Sequence, residues 1–296
     1  MTQRIAIALH GGAGAKAGRD YSETEAHLFD LVTQCHSDLV SGMPSVDVVE
    51  SAVVDMEKSG LYVAGRGAAP NKAGYVELDA SIMVGENGDH LRTAGSVAAV
   101  PHLISPIQAA RQVMEKTPHV MLAGKGAENF CKDQGLEFVT NTDTYYRAPV
   151  GVEPHEMTVP ELGHGTVGAV ALDAHGQIAA ATSTGGVFGK QEGRVGDTPL
   201  IGSGTWADSA VCASCTGLGE YFILAGGAQD VASRVRLQEK SLQAATDALI
   251  NDVGALGGNG GVIAVDRAGN IAFSWNSSGM KRAGAATGMP PFSATF

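Results

Sequence analysis

Gly165-Thr166-Val167-Gly168-Ala169-Val170-Ala171-Leu172-Asp173 is the stretch on which the reading of this chain turns. Residues 167–172 are a short apolar run, opened by glycine and closed by the turn residues Asp173-Ala-His-Gly176. That pattern predicts a buried strand entering a hairpin, with its partner strand over 178–183. The arrangement returns near the C-terminus, where strands over 262–265 and 271–275 flank Asp266-Arg-Ala-Gly269. Two echoed strand–turn–strand units predict antiparallel sheet rather than a parallel βαβ series.

Thr166 sits at the mouth of the first of these strands, directly after a glycine. A threonine hydroxyl is a poor nucleophile without a base beside it, and the residue's own α-amine is one such base. A free α-amine titrates near ~8, so much of it accepts a proton around neutral pH. It is free only if the chain is cut before Thr166. The stretch therefore predicts a precursor that cleaves at Gly165/Thr166 and becomes an N-terminal-threonine hydrolase. Taken alone it is equally a β-branched residue opening a strand; the rest of the chain decides.

Working outward, the chain opens with a strand over 5–9 and a glycine-rich turn, His10-Gly-Gly-Ala-Gly14. Ser22-Glu-Thr-Glu25 reads as a capping box starting a helix whose Leu28, Leu31, Val32, Cys35 and Leu39 share one face. A second helix begins at Ser45, then strands over 76–84 and 93–100 and helices over 106–115 and 125–133. Residues 140–165 differ. Pro149, Pro154 and Pro160 interrupt them, Glu153, His155, Glu156 and Glu161 make them polar, and they read as an exposed linker ending at Thr166. Beyond the first hairpin come a strand over 209–216 and helices over 221–237 and 241–251. Strands in both halves with helices outside predict one α/β domain over residues 1–296. It would be a four-layer αββα sandwich, built from a 1–165 segment and a 166–296 segment.

Composition narrows the function. Glycine fills 40 of 296 positions, about twice the usual ~7%, and clusters at strand ends where backbone turns or meets a ligand. The 20 Lys and Arg against 31 Asp and Glu give a formal net charge of −11, which excludes a basic nucleic-acid footprint. No apolar stretch of membrane-spanning length occurs, so a cytoplasmic protein without membrane or nucleic-acid partners is expected. Cys35, Cys131, Cys212 and Cys215 are too few for a disulfide scaffold. Cys212 and Cys215 lie three apart on a strand, on opposite faces. Gly12-x-Gly14-x-x-Ala17 follows a strand as a dinucleotide fingerprint does, but the helix that should begin there is delayed to about Ser22. Of nine histidines, His175 alone follows Thr166, so a Ser-His-Asp triad within the C-terminal half is hard to build; His10 could enter from the N-terminal half, though a structural role is favoured. No clustered His and carboxylate signature suggests a catalytic metal.

Three further segments converge on Thr166. Thr184 ends the strand paired with the Thr166 strand; if the hairpin sets their ends side by side, it can hydrogen-bond the candidate nucleophile. Thr216-Gly217-Leu218-Gly219 ends the 209–216 strand on a hydroxyl and bare backbone, suited to a developing oxyanion. Gly193-Arg194-Val195-Gly196-Asp197 sets a cation and an anion between glycines. The Arg can clamp a carboxylate and the Asp can hold an ammonium, a receptor for a zwitterionic amino-acid head.

With these motifs in order, the chain resembles the plant-type L-asparaginase/isoaspartyl aminopeptidase family of N-terminal nucleophile hydrolases. The resemblance runs from His10 to about Arg282. It also takes in Glu77-Leu-Asp-Ala-Ser81, Pro118-His-Val-Met121 and the stretches 165–173, 181–186, 193–197, 214–220 and 257–261. It implies the αββα fold, autocleavage before Thr166 and an (αβ)2 assembly. It implies Thr166 as nucleophile supported by Thr184, Thr216 and Gly217 as the oxyanion hole, Arg194 and Asp197 as holders of the aspartyl head, and Gly219 lining the site. It implies no catalytic cofactor. It does imply a structural sodium on the main-chain oxygens of Met56, Glu57, Ser59, Tyr62, Ala64 and Arg66. Members often carry Asn just before the Ala-Gly of that loop, where this chain has Val63. The expected reaction is hydrolysis of isoaspartyl (β-Asp-X) dipeptides and L-asparagine, releasing L-aspartate. A glycosylasparaginase-like reaction, a β-Asp-Arg or β-Asp-Lys dipeptidase and a non-catalytic amino-acid binder are the alternatives.

Overall fold

A computed structural model describes residues 4–158 and 165–296. Residues 1–3 and 159–164, which include Pro160, Glu161 and His164 of the expected linker, lie outside the described residues. The first segment runs β1 (Ala6–His10), α1 (Ser22–Val40), α2 (Ser45–Ser59), β2 (Glu77–Val84), β3 (Thr93–Pro101), α3 (Pro106–Lys116), β4 (Met121–Ala123), α4 (Gly124–Asp133) and α5 (Thr142–Tyr145). The second runs β5 (Val167–Leu172), β6 (Ile178–Thr184), β7 (Thr205–Ala207), β8 (Val211–Gly217), α6 (Gly219–Leu224), α7 (Gly227–Gln238), α8 (Leu242–Ala255), β9 (Gly260–Asp266), β10 (Ile271–Trp275), β11 (Arg282–Ala286) and β12 (Met289–Ala294).

The strands form an eight-stranded sheet ordered β12-β11-β1-β5-β6-β2-β3-β4 and a four-stranded sheet ordered β10-β9-β8-β7. Both are antiparallel except for the short β3–β4 pair. The two echoed hairpins fall one in each sheet, β5–β6 in the large and β9–β10 in the small. The large sheet interleaves the two segments: β1 lies between β11 and β5, and β6 pairs with β2.

Strand alternation sorts the core. Ile7, Leu9, Val167 and Ala169 face one side of the large sheet, packed with Leu28, Val32, Val49, Val53 and Ile107 of α1, α2 and α3. Ala6, Ala8, Val170 and Ala180 face the other side and meet the small sheet, whose Val211, Ala213, Ile263 and Val265 join Val231 of α7 and Leu249 of α8 in a second cluster. Alanine at so many facing positions lets backbones approach closely, which accounts for the scarcity of aromatics. The result is a mixed α/β molecule with two sheets flanked by helices.

Several local expectations are corrected. Strands β4, β7, β11 and β12 carry no clear alternation in the sequence, and the 209–216 strand begins at Val211. The helix expected over 221–237 breaks at Gly226 and Gly227, both at positive φ; a Cβ on Gly227 would lie 2.0 Å from the Ser203 carbonyl oxygen. The capping box does not form. Tyr21 is the N-cap of α1, Ser22 already belongs to the helix, and the Thr24 hydroxyl donates to the Tyr21 carbonyl. The linker is not uniformly exposed. Pro149 and Glu156 are buried, and residues Pro154–Thr158 form a 3-10 turn. Among the described residues no helix is long and apolar enough to cross a membrane.

Candidate active site

Thr166 immediately precedes β5, which sits between β1 and β6 in the middle of the large sheet, and it is buried. Because Val167 pairs with Ser183 across the hairpin, Thr184 lies opposite Thr166. The Thr166 hydroxyl donates to the Thr184 hydroxyl at 3.2 Å. The Thr184 hydroxyl in turn donates to the Gly165 carbonyl at 2.8 Å and accepts from the Gly186 amide at 2.9 Å. Thr184 thus takes the proton side of one threonine and polarises the carbonyl just before it. The glycine turn after β1 covers this peptide. Gly12, at φ +100, comes so near that a Cβ there would stand 3.2 Å from the Gly165 Cα and 3.3 Å from the Thr166 nitrogen.

His10, at the end of β1, is fully buried. Its Nδ1 lies 3.1 Å from the Thr166 carbonyl oxygen and its Nε2 lies 2.9 Å from the Ser214 hydroxyl. Burial lowers its pKa to about 3, against the raising effect of the Thr166 carbonyl, so the ring is neutral. The partners then assign the proton to Nδ1, which donates to the carbonyl, and leave Nε2 to accept from Ser214. From Ser214 a buried series of hydroxyls continues through Thr182 (2.8 Å) and Thr205 (2.5 Å) to Ser81 (2.7 Å). These five residues come alternately from the two sheets and stitch them together. His10 holds Thr166 by its carbonyl; neither nitrogen is bonded to the Thr166 hydroxyl.

Arg194 and Asp197, the residues expected to receive a head group, line one cleft. Asp197 is buried, and its Oδ2 has no hydrogen-bond partner. Burial pushes its pKa up to about 7, with Arg194 opposing the rise. Gly219 leaves room for it, since a Cβ there would lie 2.6 Å from Asp197 Oδ1. Arg194 is engaged: its Nε and Nη2 each donate at 2.8 Å to the two oxygens of Glu220, a two-pronged pair. Arg194 is 14% exposed and Glu220 54%, so the fork is fixed in the wall while the carboxylate facing it is the exchangeable partner.

Thr216 is the penultimate residue of β8, its hydroxyl accepting from the Ala13 amide at 3.4 Å, which leaves its own proton to give. Gly217 follows at φ +146, where a Cβ would meet the Asn259 carbonyl oxygen at 2.4 Å. A tight cleft, too narrow to admit a water, is lined by Gly165, Thr166, Thr184, Arg194, Asp197 and Gly217, among others. Thr216 and Gly219 stand behind this lining. A larger cavity between α1 and β12, lined by Leu39, Val40, Met289 and Pro290, is mainly apolar and holds no comparable set of groups.

The loop after α2 lies beside the same peptide. Val63 abuts Gly165, whose Cβ, if it had one, would be 2.8 Å from the Val63 Cγ2, and the Val63 carbonyl accepts from the Gly185 amide at 3.0 Å. The Glu57 carboxyl is buried and accepts from the Ser105 hydroxyl (2.5 Å), the Ile107 amide (3.0 Å) and the Ser183 hydroxyl (2.6 Å). Burial pushes its pKa up to about 7, against the lowering effect of those bonds. Of the six main-chain oxygens expected to hold sodium, those of Met56, Ser59, Tyr62, Ala64 and Arg66 already accept hydrogen bonds within the molecule. Neutral main-chain oxygens suit a hard cation. Among the described residues no group of three His, Cys, Asp or Glu could hold a metal ion. Cys212 and Cys215 are buried free thiols.

The end of the first segment is docked here. Glu156 pairs with Lys16 (3.0 Å) and Arg19 (2.6 Å), and chiefly the Arg19 hydrogen bond holds its pKa well below the usual carboxylate range. Val152 and Met157 pack on a small cluster of Val63, Ala69 and Phe188.

The structure thus brings together Gly165, Thr166, Thr184, Arg194, Asp197, Thr216, Gly217 and Gly219. Sequence reasoning missed Ser214 and Glu220 and left His10 aside as structural. The signal for His10 was its place beside the glycine turn, at the end of a wholly apolar strand.

Known proteins are similar to this chain over nearly its full length. The model of the Asparaginase_2 family, described as asparaginase, matches residues 3–290. The isoaspartyl peptidase of Escherichia coli K12 is 42% identical over 310 residues, spanning 97% of this chain and 95% of that one. The isoaspartyl peptidase of Salmonella typhimurium is 42% identical, spanning 97% of each chain. The isoaspartyl peptidase/L-asparaginase of Bos taurus is 38% identical over 95% of this chain and 93% of that one.

Proposed function

The chain belongs to the Asparaginase_2 family, and we propose that it is an isoaspartyl peptidase/L-asparaginase that releases L-aspartate through Thr166 after cutting itself at Gly165/Thr166. The observation that carries this reading is the hydroxyl pair: Thr166 donates to Thr184, which donates to the carbonyl of Gly165. We also infer that the two sheets and their flanking helices form the four-layer αββα sandwich of N-terminal nucleophile hydrolases.

In the first event the Thr166 oxygen bonds to the Gly165 carbonyl carbon, the carbon–nitrogen bond breaks and the hydroxyl proton ends on the departing nitrogen. Water then opens the ester, returning the hydroxyl and leaving a carboxylate on Gly165. The unmasked α-amine is the base for catalysis. With substrate bound, the α-carboxylate replaces Glu220 on Arg194, and the ammonium meets the unpartnered oxygen of Asp197. The Thr166 oxygen attacks the side-chain amide carbon as the α-amine takes its proton. The Thr216 hydroxyl and the Gly217 amide stabilise the oxyanion, and the leaving amine takes the proton from the α-amine. Water hydrolyses the acyl-enzyme and aspartate departs.

The main-chain oxygens of Met56, Glu57, Ser59, Tyr62, Ala64 and Arg66 would hold a sodium ion that braces the Val63 loop and supplies no chemistry. Two cut chains would pair as (αβ)2. The test is intact-mass analysis beside an aspartate-release assay. The purified protein should give two fragments, 1–165 and 166–296, and hydrolyse β-aspartyl dipeptides. Thr166→Ala should remain one chain and release no aspartate. A fully active, uncut protein would overturn the mechanism.

A further inference from the structure

We propose that Lys190 is a positioning residue for Thr184, and through it for Thr166, in both self-cleavage and hydrolysis. This rests on the reading of the site given above. Thr184 is held by the Gly186 amide, which donates to its hydroxyl at 2.9 Å. Gly186 stands at φ +81, and a glycine's own backbone is too free to keep that amide aimed at one oxygen. The side chain of Lys190 supplies the constraint. A Cβ on Gly186 would lie 2.7 Å from Lys190 Cδ and 3.0 Å from its Nζ, so the lysine folds back beneath this glycine and fills the room under it. Gly186 lines the cleft; Lys190, 3% exposed, stands behind it.

The amine is tied to the strand beside Thr184. β2 pairs with β6, and Asp79 is the register partner of Thr184. Two residues earlier on β2, the Glu77 carbonyl accepts from Lys190 Nζ at 2.7 Å. The Lys190 carbonyl accepts from the Lys72 amide at 2.9 Å, so main chain and side chain are both anchored. Asp79 is fully buried; its Oδ1 accepts from the Ala99 amide at 2.7 Å and its Oδ2 has no hydrogen-bond partner. Ala99 stands at φ +52, a strained conformation for a residue with a Cβ. Burial lowers the Lys190 pKa and raises that of Asp79, and each residue opposes the other's shift; Glu77 and Arg194 are the remaining charges that face them. Well-packed apolar residues in place of a buried charge pair are often as stable or more so. Stability alone therefore does not call for a lysine here, whereas a donor tied to β2 holds the Gly186 corner in one orientation.

Misplacing a reacting group by about 1 Å costs up to ~100-fold in rate. Lys190→Met keeps the stem and removes the amine; adding Asp79→Asn removes the carboxylate left without its cation. Intact-mass time courses give the rate of self-cleavage, and aspartate release per cleaved chain gives kcat and KM. We expect Lys190→Met to melt below the parent and the double variant to recover the parental melting temperature. Both should cut themselves about 10-fold or more slowly and, once cut, lose kcat to a similar degree. KM should stay within about twofold, because Arg194 and Asp197 are untouched. Parental cleavage and kcat in the double variant, or a loss confined to KM, would overturn the role of Lys190 while leaving the activity standing. So would a double variant that melts as low as Lys190→Met, since that assigns the lysine to stability. A parent protein that neither cuts itself nor releases aspartate would overturn the activity and the role of Lys190 together.

Discussion

Asp197 is a carboxyl stored in a place that resists its charge, with one oxygen left for a ligand. Burial raises its pKa from the ordinary carboxylate range to about 7, which fixes a sign. Between about pH 4 and 7 the folded protein binds more protons at this residue than the unfolded chain, so stability falls as pH rises through that window. Asp197→Asn should therefore raise the melting temperature at pH 8 and show no such advantage at pH 3.5, as differential scanning calorimetry at both pH values would reveal. The same ionisation is what an ammonium needs, so the KM for aspartyl substrates should climb as pH drops below about 7, and Asp197→Asn should bind weakly throughout. A KM that is flat from pH 5.5 to 8 contradicts this role. Gly168 makes a steric prediction. Its Cβ would fall 2.1 Å from the Ser214 hydroxyl and 2.4 Å from His10 Nε2, so Gly168→Ala should cost about 2–4 kcal/mol in urea unfolding and slow self-cleavage on gels. At this scale the sequence exposed the reacting types, because Thr166, Arg194 and Asp197 stand beside glycines that mark turns. It did not expose who holds them. His10, Ser214 and Thr182 come from three strands, and their meeting depends on how two sheets are stacked, which no local spacing records.

The two hairpins show how much an element owes to its surroundings. In each, the first turn residue is an aspartate whose carboxyl accepts two amides of the turn: Asp173 from His175 and Gln177, and Asp266 from Ala268 and Asn270. Asp173 is buried and also accepts from Ser45 at the start of α2, tying the hairpin to a helix. Asp173→Ala should accordingly cost about 2–3 kcal/mol and Asp266→Ala about 1 kcal/mol, measured by urea midpoints; equal losses would show that the tie to α2 adds nothing. Both hairpins were legible because their turn chemistry is local. The hidden strands are hidden for stated reasons. β11 is Arg282-Ala-Gly-Ala-Ala286, too small to show a pattern, and β12 carries Pro290 and Pro291, which an edge strand tolerates because one of its sides lacks a partner. The break between α6 and α7 escaped because Gly227 yields to the Ser203 backbone, a contact from a distant loop.

At the scale of the whole molecule, the proposed cut falls where the connectivity makes it harmless. Strands β1 to β4 come from before Gly165 and β5, β6, β11 and β12 from after it, yet all eight share one sheet, with β1 hydrogen-bonded on both sides to later strands. Scission at Gly165/Thr166 should leave the fold intact. The two fragments should co-elute on native size exclusion, resist separation until denaturant unfolds the sheet, and melt in a single transition. Separation of the fragments under native conditions would contradict the interleaved sheet.

That braid also gives the molecule a direction in time. Assembly as a single polypeptide is a first-order event, indifferent to dilution, whereas two severed pieces must find one another again by collision. A sample denatured after scission should recover in proportion to how crowded the vessel is, while one arrested before scission should recover equally well at any concentration.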